Sequence, residues 1–356
     1  MTDIITMLID APSAETLRAA RPQARDNAQE AFEALVEGEI LPPGVGYDLA
    51  LIVARSAGVD KAVEFYADLA VEEPAVENPA LRAARQWAWQ LATRPASANA
   101  LDVADLARQG WTPDQVVAMA QLIGFVAFQV RVIHGLRVLA GASDSEGSGE
   151  PAVEPTFTVP TYPGMHRPAH FVAHSLGWRP WVPPAENLTE EQRAALIKPE
   201  REKSEYFRLL ARDPRALRAR TLTDLDIFYN TEGGLGRAER ELAATVASRL
   251  NGCVYCASVH AGRAIQESQR EADIHRLLDE GVAADLGSPQ WNALRDAARA
   301  LTNTPVSFDS GHVAALRAVG FGDLAVVDAI NSTAFFQWAN RLMLGLGEPE
   351  LPRRFR

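Results

Sequence analysis

Residues 236–264 read GRAERELAATVASRLNGCVYCASVHAGRA: one helix, a stop, and a second helix. From Arg237 to Leu250 good helix formers dominate, and apolar residues recur three and four apart. Asn251-Gly252 is a strong stop pair, because both residues tolerate the left-handed backbone that ends a helix. A new helix is expected to start near Cys253, where unpaired N–H groups and the helix dipole favour a thiolate. On that helix Cys253, Cys256 and His260 fall within about 60° of one another at 100° per residue, so they share a face. Cys256 and His260 are four apart, in direct side-chain reach. An imidazole there can take the thiol proton and stabilise the reactive thiolate. Glu241 would lie roughly 18 Å from Cys253 on one straight helix. A turn at Gly252 folds the first helix back, so that the Glu241 carboxylate can approach the thiols and pass protons to Cys or His.

Outward from this segment the same helical composition continues. Apolar periodicity predicts helices over Leu17–Leu35, Leu81–Leu91 and Ala238–Leu250. Thr112-Pro113-Asp114-Gln115 and Thr189 to Gln192 read as capping boxes, and Ser288-Pro289 as a third helix start. No series of alternating strands is present, which argues against a doubly wound or barrel fold. The fold class is therefore all-α. A break runs from about Gly141 to Pro184. The stretch SDSEGSGEPAVEPTFTVPTYPG reads as a linker, and HRPAHFVAHSLGWRPWVPP reads as an ordered arm without regular structure.

The chain has 356 residues, 47% of them hydrophobic and 23% charged, which is long enough for two domains. A net charge of −11 argues against nucleic acid and anionic membrane as partners. The opening MTDIITMLID has no basic n-region and does not read as a secretory signal. The longest apolar runs fall short of a membrane span. A cytoplasmic protein is expected. A bridge between two cysteines three residues apart restricts the unfolded chain very little, so reactivity or metal binding is the better reason for them.

The chain also repeats itself. Residues 110–136 read GWTPDQVVAMAQLIGFVAFQVRVIHGL, and residues 320–346 read GFGDLAVVDAINSTAFFQWANRLMLGL. An ungapped shift of 210 residues pairs Gly110 with Gly320, Phe125 with Phe335, Phe128 with Trp338, Arg131 with Arg341 and Gly135 with Gly345. Tyr47-Asp48-Leu49-Ala50 also pairs with Arg240-Glu241-Leu242-Ala243. Neither register finds a second cysteine pair. It falls near Pro43 and Gly46, or on Asp60 and Val63. The expected organisation is a degenerate helical domain at 1–145, a linker and arm at 146–185, and a domain with the CxxC site at 186–356.

Other chemistry is less well supported. Zinc would find three ligands crowded on one helix face and no second Cys pair. His166, His170 and His174 stand at i, i+4, i+8, but Pro168 among them argues against a helix. His134, His275 and His312 have no partner pattern. Tyr255 points away from the thiol face and reads as core. No metal or other cofactor is expected.

The pattern E-x11-C-x2-C-x3-H, met by Glu241, Cys253, Cys256 and His260, resembles the AhpD-like alkylhydroperoxidases of the carboxymuconolactone decarboxylase superfamily. The likeness spans roughly residues 200–350, with RAEREL and NGCVYCASVHA close to the peroxidase-related branch. The N-terminal half resembles the superfamily more faintly, so the whole looks like a fusion of two such domains. The resemblance implies an all-helical homo-oligomer, a dimer or trimer, that reduces a small hydroperoxide. Glu241 and His260 would relay protons. One thiolate, Cys256 in the first instance, would attack, and Cys253 would resolve the sulfenic acid to a disulfide. The reverse order of the cysteines stays open. A dithiol reductant protein would regenerate the pair. The AhpD pattern carries a His between the cysteines, where this chain has Tyr255, and the N-terminal half would be inert and structural. Two rival functions are a decarboxylase or lactone-processing enzyme and a non-enzymatic redox-sensing or assembly module.

Overall fold

Residues 3–142 and 166–356 are described by the structure, a computed structural model. The linker expected at 143–164 lies outside the described residues. The first half runs α1 (Ile4–Ile9), α2 (Ala14–Ala19), α3 (Pro22–Leu35), α4 (Val45–Ala57), α5 (Asp60–Glu72), α6 (Pro79–Thr93), α7 (Ala100–Arg108) and α8 (Pro113–Leu139). The second runs β1 (Gly177–Pro180), α9 (Glu190–Ala195), α10 (Glu205–Leu210), α11 (Pro214–Tyr229), α12 (Arg237–Leu250), α13 (Val254–Ser268), α14 (Glu271–Glu280), α15 (Pro289–Thr302), α16 (Ser310–Ala318), α17 (Asp323–Gly345) and β2 (Gly347–Glu350). The fold is all-α, with one two-stranded sheet among the described residues.

The centre of the molecule is the contact between α8 and α17. Both helices are apolar on nearly every face, so neither is stable unless surrounded. From Val116 to Leu136 every residue of α8 is buried. Thr112 and Gln115 close the predicted capping box at its start, with Pro113 in the first turn. The helices approach closely at Gly124, where a Cβ would stand 2.7 Å from the Trp338 ring. The aromatic residues that matched in sequence meet across this seam. Phe128 stacks on Trp338 at 6.0 Å, and Phe125 meets Trp338 edge-on at 5.2 Å.

The helix order of the first half recurs in the second. The helix starts at Pro22 and Val45 reappear 192 residues on, at Pro214 and Arg237. Those at Pro79, Ala100 and Pro113 reappear 210 residues on, at Pro289, Ser310 and Asp323. The offset grows across α14, which has no counterpart in the first half, so no single ungapped shift aligns everything. Like packs on like: α3 lies on α11 as α8 lies on α17. The matched arginines cross between the halves. Arg131 of α8 donates to the carbonyls of Leu301, Thr302 and Asn303 at the end of α15. Arg341 of α17 donates to Ala92 O in the last turn of α6. Each guanidinium satisfies helix-end acceptors that would otherwise be buried without partners.

Three expectations need correction. The helix over Leu17–Leu35 is two helices, because the turn at Ala20-Arg21 hands over to Pro22 in a new first turn. The arm is not wholly irregular: Gly177–Pro180 pairs antiparallel with Gly347–Glu350. That pairing depends on a segment far away in sequence. The apolar runs do not all fall short of a membrane span. Pro113–Leu139 is long and apolar enough to cross one, with a mean hydropathy of 1.9 over its best window, yet that window is wholly buried in protein. In the half without cysteines, Asp48, matched in sequence to Glu241, pairs with an arginine of α6. Its carboxylate holds Arg85 at 2.7 and 2.8 Å.

Candidate functional site

The site begins where α12 ends. Gly252 adopts φ +74°, a left-handed conformation open to glycine at little cost. The Cys253 N–H turns back to Ser248 O at 2.9 Å, Cys253 takes the N-cap position, and α13 folds back onto α12. The chain reversal expected at Asn251-Gly252 is therefore present. It brings Glu241, Cys253, Cys256 and His260 together.

Glu241 is fully buried. Its Oε2 lies 2.5 Å from His260 Nδ1, and its Oε1 accepts from Arg237 Nε at 2.6 Å. Burial disfavours the carboxylate, but the His260 and Arg237 charges outweigh burial and hold its pKa below the ordinary value. Burial pulls the His260 pKa down, while Glu241 first and then Cys256 and Asp224 raise it above its usual value. The imidazole is held edge-on to Phe336, with ring centroids 4.2 Å apart, and Phe228 lies beyond at 5.9 Å.

The two thiols are free, buried and unlike. Burial opposes ionisation of Cys256. The hydrogen bond from the Cys253 thiol, the His260 charge, the Asn340 side chain and the Arg220 charge together overcome it and lower its pKa. Cys253 is pushed the other way, by burial and by the neighbouring Cys256 sulfur. The surroundings thus favour ionisation at Cys256 over ionisation at Cys253, whose thiol donates to the Cys256 sulfur. Asn340, fully buried on α17, is fixed by its bonds to Ser248 Oγ at 3.1 Å and from Asn251 Nδ2 at 2.9 Å.

Several of these residues escaped the sequence reading. Arg237 was detectable, since it stands one turn before Glu241 on the same helix face. Asn340, Tyr206, Arg220 and Asp224 carried no such signal. Arg220, Asp224 and Phe228 succeed one another at four-residue spacing along α11, the stripe that faces His260 and Cys256. Arg220 is buried, with its guanidinium carbon 5.0 Å from the Phe335 ring centre and 5.8 Å from that of Tyr206. Burial raises the pKa of half-buried Asp224, against the pull of Arg220 and His260. Tyr255 is not simply core. It shares the wall of a cleft of about 240 Å³ with Cys253, and Cys256 is not among the lining residues.

The other histidines stand apart. His134 bonds Phe308 O at 2.6 Å, and His312 closes the capping box of α16 with Asp309. His166, His170 and His174 lie in non-helical chain. No group of three or more His, Cys, Asp or Glu side chains suited to a metal ion occurs among the described residues.

Residues 214–301 match the model of the carboxymuconolactone decarboxylase family. That segment is a carboxymuconolactone decarboxylase family domain. It spans α11 to the last turn of α15 and contains Glu241, Cys253, Cys256 and His260. No curated protein matches the chain. The family domain points to an AhpD-like or carboxymuconolactone decarboxylase-like function. Arg341, Asn340 and the arm lie outside the matched residues, as does the whole first half.

Proposed function

We propose that the chain is a thiol peroxidase of AhpD type, in which Cys256 attacks a small organic hydroperoxide and Cys253 resolves the product. The observation that carries this reading is the meeting, in one buried site, of two free thiols with the His260–Glu241 pair, whose polar atoms stand 2.5 Å apart. A thiolate, not a thiol, is the nucleophile, and the surroundings of Cys256 favour its thiolate while those of Cys253 do not. In the first step the Cys256 sulfur attacks the distal peroxide oxygen. The O–O bond breaks, and the departing alkoxide takes a proton from the His260 imidazolium. This leaves an alcohol and a sulfenic acid on Cys256. Cys253 then gives up its proton and attacks the Cys256 sulfur. Hydroxide leaves with that proton as water, and a disulfide remains. The Glu241 carboxylate keeps the imidazole oriented by its Nδ1, so that the other ring nitrogen is available for the proton. Such positioned proton transfer contributes about 10² to 10⁴ in rate. An external dithiol returns the two electrons.

The test is oxidation of single-cysteine variants by tert-butyl hydroperoxide with a sulfenic-acid trap. C253S is expected to hold the trapped acid on Cys256, and C256S to react far more slowly. Unchanged thiols in both variants at millimolar peroxide would defeat the proposal. A double Cys→Ser variant that still turned over a lactone would favour the decarboxylase reading. A disulfide that forms but is never reduced by any dithiol would favour a sensing or assembly module. We further propose a fusion of two family-type domains, working in the cytoplasm as a homo-oligomer. Light scattering of the purified chain checks the last of these.

A further inference from the structure

The cleft beside Cys253 is built by parts of the chain outside the family domain. The turn after α6 contributes Ala96 and Ala98, the arm contributes Arg167, Pro168 and Ala169, and the end of α17 contributes Met343 and Leu344. Gly252, Cys253, Val254 and Tyr255 complete it on the side of the redox pair. Its volume is about 240 Å³, somewhat below the range of roughly 300–1,000 Å³ common for small-molecule sites. Cys256 and His260 of α13 lie beside Arg220 of α11, and none of the three lines this cleft. Both cysteines are buried, yet Cys253 belongs to the cleft wall and Cys256 does not, lying instead beside the charged residues Arg220 and His260.

Thiol–disulfide exchange turns that asymmetry into a direction. An incoming thiolate attacks the disulfide sulfur it can reach, and the other sulfur leaves, faster when it is the more acidic thiol. We propose that the cleft admits the reducing thiol to Cys253, that the mixed disulfide forms there, and that Cys256 departs as the thiolate. This rests on the disulfide chemistry proposed above and adds the site and kind of reductant. In the step, RS⁻ bonds to Cys253 Sγ, the Cys253–Cys256 bond breaks, and its electron pair goes to Cys256 Sγ beside His260. A second thiol then attacks the reductant's sulfur, the mixed disulfide breaks, and Cys253 leaves and takes up a proton. The reductant is oxidised to its disulfide and the protein is reduced by two electrons. A cleft of this size takes a slender, low-molecular-weight thiol and not the flat face of a protein dithiol. The first half, which has no cysteines, acquires a role as a wall of that entrance.

The experiment starts from full-length protein oxidised with diamide, so it does not depend on any peroxidase activity. The disulfide is treated briefly with 2-mercaptoethanol, quenched in acid, alkylated and sequenced by fragmentation mass spectrometry. The expected product carries the mercaptoethanol adduct on Cys253 and the alkyl group on Cys256, in at least ten-fold excess over the reverse. Equal labelling, or the adduct on Cys256, overturns the proposal. A second arm follows reduction of the diamide-formed disulfide by dithiothreitol in Ala96→Trp and Ala169→Trp, which place bulk in the cleft walls. Reduction is expected to slow at least ten-fold, while oxidation of the reduced thiols by hydroperoxide changes less than two-fold. Unaltered reduction, or reduction by thioredoxin that outpaces dithiothreitol and ignores both substitutions, contradicts the assignment.

Discussion

Glu241→Gln removes one charge from the centre of the site and keeps its shape. The carboxylate is fully buried and accepts from both His260 and Arg237. A hydrogen bond to a charged group contributes about 1.5–3 kcal/mol net. If the lost interaction is one the imidazolium makes as it delivers its proton, oxidation of Cys256 slows by roughly 10- to 150-fold. The pH dependence moves as well. Without Glu241 the imidazolium loses its main support and gives up its proton at lower pH. Cys256 then loses the positive neighbour that helps it ionise, so the rate maximum narrows and shifts. Stopped-flow oxidation by excess tert-butyl hydroperoxide from pH 5 to pH 9 measures both effects. A variant that matched wild type in rate and profile across that range would refute a role for this carboxylate.

The same pair sets a pH window for stability. The pKa of Glu241 is lowered in the fold, so its contribution is complete above its ordinary 4.5 and is lost as pH falls through the folded value. That of His260 is raised, so its contribution is complete below its ordinary 6.5 and is lost as pH rises through the folded value. The stability difference between wild type and E241Q, from urea midpoints, should therefore peak between pH 4.5 and 6.5; a flat difference from pH 4 to pH 8 would contradict this. Asn340→Leu removes a side chain that supports the Cys256 thiolate, and should move the 240 nm thiolate transition to higher pH; no movement would leave Asn340 a packing residue only. Arg131→Met strips donors from buried carbonyls at the end of α15, at about 1–3 kcal/mol for each group left unsatisfied, read as a lower urea midpoint. Gly124→Val forces side-chain atoms against Trp338 at the α8–α17 seam and should cost about 1–3 kcal/mol, unless the helices part freely and the midpoint stays put.

The cysteine cluster was legible because it is written in local periodicity. Three residues on one helix face, a carboxylate on the preceding helix and an Asn-Gly stop between them need only helix geometry to be placed. The central helices were legible for a related reason, since aromatic and glycine positions repeat along both. What escaped depends on distant chain. Nothing near Arg220 or Asn340 announces that α11 and α17 bring them to Cys256. Gly177–Pro180 becomes a strand only because Gly347–Glu350 lies beside it. The repeat was visible in its last helix but out of register around the cysteines, because α14 intervenes in one half alone. The burial of Arg131 and Arg341 follows from each half's long helix reaching the other half's helix ends, a contact that no local pattern encodes.

In the proposed reaction these two sulfurs consume peroxide together. The most direct measurement mixes fully reduced protein with tert-butyl hydroperoxide, without any reductant, and counts hydroperoxide lost, alcohol formed and thiols remaining. The expected result is one hydroperoxide converted per chain, one alcohol formed, and both thiols lost to a Cys253–Cys256 disulfide. Hydroperoxide that survives alongside two intact thiols would contradict it.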